Sequence, residues 1–125
     1  MKTLTLPLKK KWFDMIKSVK KKEEYRVIKP FWIKRLLECT EHDLDAIWDT
    51  FAAFPDTTKQ LNKEHEYLNA FKSFDSIVFT IGYPKADDTE RRIEFKNPKI
   101  RIGRGRPEWG AEPGKNYFVI TWEAE

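Results

Sequence analysis

Leu4, Leu6 and Leu8 alternate with Thr3, Thr5 and Pro7, a period of two that predicts a short strand with one apolar face. From Lys10 to Ser18 the pattern changes: Trp12, Phe13, Met15 and Ile16 gather on one broad face among lysines, as in a short amphipathic helix. Val19 to Lys22 reads as a tight basic turn, and Glu23 to Ile28 returns to alternation as a second strand ending before Lys29-Pro30. Pro30 suits the first turn of a helix through Phe31, Trp32, Ile33, Leu36 and Leu37.

Thr40 followed by Asp43 marks a helix start, with Leu44, Ile47, Trp48 and Phe51 at helical spacing up to Phe54-Pro55. Lys59 to Phe71 forms a further helical piece, so residues 38–72 read as a helical insertion. After Ser73 the period is two again, at Ile77, Phe79 and Ile81, at Ile93 and Phe95, at Ile100 and Ile102, and at Phe118, Ile120 and Trp122. Gly82-Tyr83-Pro84, Asn97-Pro98, the stretch from Gly103 to Gly110, and Pro113-Gly114 punctuate these runs. About six short strands with early helices predict an α+β chain forming a small mixed β-barrel rather than a layered parallel sheet.

Length and composition narrow this picture. A chain of 125 residues suits one domain, and 40% apolar residues with five Trp, nine Phe and four Tyr can close a core without staples. Cys39 is the single cysteine, so no intrachain disulfide framework is available. With no signal-peptide pattern at the N-terminus and no apolar run of membrane-span length, the expectation is a cytoplasmic protein without a membrane partner. Cys39, His42 and His65 make too poor a set for a metal site, and Gly103 and Gly105 lack the third glycine and following helix of a dinucleotide fingerprint. No metal and no cofactor are expected.

The net charge of +4 is unevenly spread. Residues 1–37 carry twelve Lys or Arg against three acids, residues 38–90 four against twelve, and residues 91–125 eight against five. Two basic ends meeting in space would form a cationic surface suited to phosphates. The plain alternative is a solvated lysine-rich face.

Two elements carry candidate chemistry. Glu24 and Arg26 stand two apart on an expected strand and so share a face, over which Lys21 and its neighbour Lys20 can lie. Arg26 offers a planar fork, Lys21 a mobile point charge, and Glu24 an acceptor for an amino group; the same residues could equally form a structural ion pair. The second element, Arg101 to Gly110, joins Arg104 and Arg106, which suit phosphate, to Trp109, which can stack a base or plug one end of the fold. Its glycines let backbone approach a ligand, while Trp12 and Trp32 lie on apolar helix faces and are expected in the core.

Val19, Lys21, Glu24 and Arg26 also fall at the positions of the ASCH signature, a glycine followed by lysine, glutamate and arginine at offsets of two, five and seven. Leu6-Pro7-Leu8 and the helix before it, Lys29-Pro30-Phe31-Trp32 after it, and Pro107-Glu108-Trp109-Gly110 leading into Tyr117-Phe118-Val119-Ile120 extend the likeness. The chain thus resembles the ASCH family, which implies a PUA-like barrel with a basic cleft binding RNA or a nucleotide. In that reading Lys20, Lys21, Glu24, Arg26, Arg104, Arg106 and Trp109 face the ligand. Val19 departs from the signature glycine, so the turn must either run at negative φ or carry strain.

Some family members look like small amidohydrolases that remove acyl groups from modified cytidines. The resemblance would then make Lys21 the catalytic lysine, acting as nucleophile or base, with Glu24 at a position that holds threonine in that branch and Glu108 as the nearest downstream acid. A third possibility leaves the barrel as scaffold and gives the acidic insertion, residues 38–72, a protein partner.

Overall fold

The computed structural model describes residues 2–38 and 71–123. The insertion expected at 38–72, with Cys39, His42 and His65, therefore lies almost wholly outside the described residues. The chain packs as two compact units, one of residues 1–24, 73–99 and 121–125, the other of residues 25–72 and 100–120.

In the first unit, strand β1 (Thr3–Leu8) leads into helix α1 (Lys10–Lys17), and strand β3 (Ser76–Ile81) lies parallel to β1. The register sets Leu4 opposite Ile77, Leu6 opposite Phe79 and Leu8 opposite Ile81, so both apolar sets share a face. Phe13 and Ile16, one helical turn apart, are the buried side of α1, which packs on β1 and β3. β1 is tied at its start, where the Lys2 backbone N–H donates to the Asp75 carboxylate at 2.8 Å and the Thr3 and Ser76 hydroxyls meet at 3.0 Å.

Strand β4 (Arg92–Arg104) pairs antiparallel with β3 over Arg92 to Lys96, and strand β5 (Asn116–Glu123) ends in the same unit. Here the rings of Phe79, Phe95 and Trp122 pack together, the closest centroids 4.8 Å apart.

The second unit holds strand β2 (Glu24–Val27) from Tyr25 onward, helix α2 (Pro30–Leu36), and the remaining halves of β4 and β5. Pro30 occupies the first turn of α2, where its missing N–H costs nothing. Ile33 and Leu36 face inward, Leu37 bridges to Phe71, and the Phe71 ring meets Phe118 edge-on at 6.2 Å. A second cluster joins Tyr25, Ala111, Tyr117 and Val119, with Trp109 packed against it.

The described strands form one sheet in the order β1-β3-β4-β5-β2. β1 and β2 end that order and are not neighbours, so the sheet is open and mixed, and the expected β-barrel is wrong. The expected strand count fails for a local reason. Asn97-Pro98 reads as a turn, yet both flanking runs belong to the single thirteen-residue β4. Asn97 takes φ +49 within the strand and donates from its side-chain amide to Glu123 at 3.0 Å, so the break signal is absorbed at a single left-handed residue.

Candidate functional site

In the first unit, the turn after α1 delivers Lys21 inward. Ser18 ends the helix, the N–H of Val19 donates to the Ile16 carbonyl at 3.0 Å, and those of Lys20 and Lys21 donate to the Met15 carbonyl at 2.9 and 3.0 Å. This is the hydrogen-bond pattern of a Schellman motif, which requires a left-handed residue just past the helix. Val19 fills that place at φ +64, so the turn takes the strained alternative rather than negative φ. A β-branched side chain there is costly, and Val19 is 57% exposed with little packing in return. Val19→Gly is accordingly expected to stabilise the protein by about 1 kcal/mol, read as a raised urea midpoint with unchanged slope.

Beyond this turn, the Lys21 Nζ donates to Glu24 Oε1 at 2.8 Å, with the two side chains only 1% and 6% exposed. The ammonium also lies 4.5 Å from the centre of the Trp12 ring, and Lys11 stands 4.6 Å from it. Lys21 and Glu24 are thus brought together in the interior, while Lys20 is exposed. Arg26 belongs to the second unit.

There, the chain from Gly105 to Glu112 is held by tyrosine oxygens. The backbone N–H of Arg106 donates to the Tyr25 hydroxyl and that of Glu112 to the Tyr117 hydroxyl, both at 2.9 Å. A Cβ on Gly105 would come within 2.6 Å of the Tyr25 ring and 2.7 Å of Ala111. The glycine expected to admit a ligand is therefore required by a tyrosine of the chain itself. A 3-10 turn, Pro107–Trp109, then closes on Gly110 at φ +101.

This frame leaves Arg104, Arg106 and Glu108 exposed and Trp109 half-buried. The Arg106 guanidinium stands 5.0 Å over the Trp109 ring and makes a loose 3.6 Å contact with Glu108. An exposed pair of that length contributes little. The loop thus presents a guanidinium fork and an indole on a fixed backbone, a combination able to hold a phosphate and a flat ring.

The chain matches no known family model, no curated protein and no solved structure. Among the described residues, no helix is long and apolar enough to cross a membrane, and no group of three or more His, Cys, Asp or Glu is placed to hold a metal.

Trp12 and Trp32, expected in the core, are only half-buried, and both stand against cations. Trp32 has the Arg26 guanidinium 5.1 Å and the Arg35 guanidinium 5.8 Å from its ring centre. Arg35 and Trp32 are thus members of a cationic-aromatic group that sequence reasoning missed. The signal was present in the run from Tyr25 to Leu37, which holds Arg26, Lys29, Lys34 and Arg35 and no acid.

Proposed function

We propose that this chain binds RNA or a nucleotide piece through the Arg104 to Trp109 loop of the second unit. The observation that carries the reading is Arg106 set over the half-buried Trp109 ring on a backbone fixed by Tyr25, Tyr117 and Gly105. A fork and an indole held this way meet a nucleotide's phosphate and base without first paying to order the loop. Two further features support it: the four cations and no acid of residues 25–37 in the same unit, and the left-handed backbone at Val19, where the ASCH signature places glycine. A lone cysteine and RNA as ligand suit a cytoplasmic setting.

Fluorescence anisotropy of a labelled single-stranded RNA at rising salt tests this proposal. Affinity is expected to fall steeply, with Arg106→Ala reducing the slope of log K against log salt by about 0.7 for one lost phosphate contact. Absent or salt-independent binding would overturn it.

A second reading, hydrolysis of an acylated cytidine, would rest on the enclosed Lys21, and the geometry around it counts against that reading. A lysine nucleophile must present a free amine to substrate, whereas this nitrogen faces Glu24 and the Trp12 ring. Glu108, the other candidate acid, is exposed and belongs to the second unit. Release of acetate from acetylated cytidine, lost in a Lys21→Met variant that circular dichroism shows folded, would move this reading to first place.

A further inference from the structure

Phe31 is 60% exposed, a large ring left in water at the start of α2. It meets Trp32 edge-on, with ring centres 4.9 Å apart and planes at 90°. Trp32 in turn carries the guanidinium groups of Arg26 and Arg35. Two guanidinium groups thus stand by the indole, and the exposed Phe31 ring adjoins the same indole. Lys29 and Lys34 are exposed on the same stretch, and no acid stands between Tyr25 and Leu37.

The geometry points to a stacking step for one unpaired base on Phe31, with the flanking phosphates on Arg26 and Arg35. This inference rests on the RNA-binding reading above and narrows its ligand to single strands. A base inside a duplex has its faces covered by neighbouring pairs, so an exposed ring beside planar forks selects splayed-out nucleotides. An anionic membrane would also meet cations and a phenylalanine, but α2 has seven residues and one exposed aromatic, too little apolar face to lie in a bilayer interface.

The test compares wild type, Phe31→Ala, Phe31→Trp and Arg106→Ala against three probes: single-stranded oligoadenylate, an RNA duplex of equal length, and phosphatidylcholine vesicles containing phosphatidylserine. Phe31 is exposed, so circular dichroism should show each Phe31 variant folded. Phe31→Ala is expected to weaken oligoadenylate binding about tenfold, with the salt slope and the duplex affinity unchanged, and Phe31→Trp to restore it. Oligoadenylate bound equally by wild type and Phe31→Ala, yet more weakly by Arg106→Ala, would overturn the stacking step and leave the RNA reading standing. No oligonucleotide bound by any form would remove both. Vesicle binding that needs Phe31, without oligonucleotide binding, would instead make the patch a lipid-headgroup surface and overturn the inference.

Discussion

Phe79→Ala is expected to lower the unfolding free energy by about 3–5 kcal/mol, a large share of the 5–15 kcal/mol that holds an ordinary domain. Phe79 is fully buried in β3, opposite Leu6 on one side and Ile93 on the other. Its ring meets Trp122 at 4.8 Å and Phe95 at 6.1 Å, both at steep angles. Truncation loses the transfer free energy of the ring, leaves a cavity that close-packed strands cannot collapse, and removes two aromatic contacts of about 0.5–1.5 kcal/mol each. Phe79→Leu keeps most of the volume and should cost about 1.5 kcal/mol. Urea unfolding followed by tryptophan fluorescence measures both, since Trp122 lies against the ring being changed. A loss below about 1 kcal/mol for the alanine variant would mean that this ring is not a centre of the first unit's core.

The elements that place Phe79 were legible because they depend on local spacing. Leu4, Leu6 and Leu8, and then Ile77, Phe79 and Ile81, alternate strictly, and the strands there differ from expectation by no more than their ends. The amphipathic stretch from Lys10 became α1 for the same reason. The barrel failed because closure depends on which strands meet at the sheet's ends, and nothing in the spacing of residues near Leu4 or Tyr25 encodes that. The strand count failed because Asn97-Pro98 carries a true turn signal that β4 overrides, with Asn tolerating the left-handed backbone and its amide anchored on Glu123.

The candidate site was legible in residue type more than in placement. Arg106 and Trp109 do adjoin, yet the neighbouring Gly105 serves Tyr25, eighty residues distant in sequence, and no local pattern shows such a contact. Trp12 and Trp32 were assigned to the core because each stands among apolar residues on a helix face. Each is instead half-buried against cations, Lys21 and Arg26 coming from outside the helix that carries the ring and Arg35 from the next turn of the same helix. Lys21 itself is the hardest to foresee, because lysine is almost never fully buried unless paired. The partner was visible three residues on at Glu24, but spacing does not distinguish an exposed pair from an enclosed one.

That enclosed pair sets the second large effect. Lys21→Met keeps the stem and leaves the Glu24 carboxylate buried without the ammonium, and Glu24→Leu leaves the reverse; each is expected to cost about 3–5 kcal/mol. The double variant Lys21→Met/Glu24→Leu removes both charges and fills similar volume against Trp12, so it should be less destabilised than the two single losses added together. A double-mutant cycle by urea unfolding gives the coupling directly, and losses that merely add would show that the 2.8 Å contact contributes nothing as a pair. The same double variant separates scaffold from site. It should fold and bind single-stranded RNA with near wild-type affinity if the pair only shapes the turn that carries it, since Arg106 and Trp109 are untouched. A folded double variant that no longer binds would place Lys21 or Glu24 in contact with the ligand and return the signature residues to the centre of recognition.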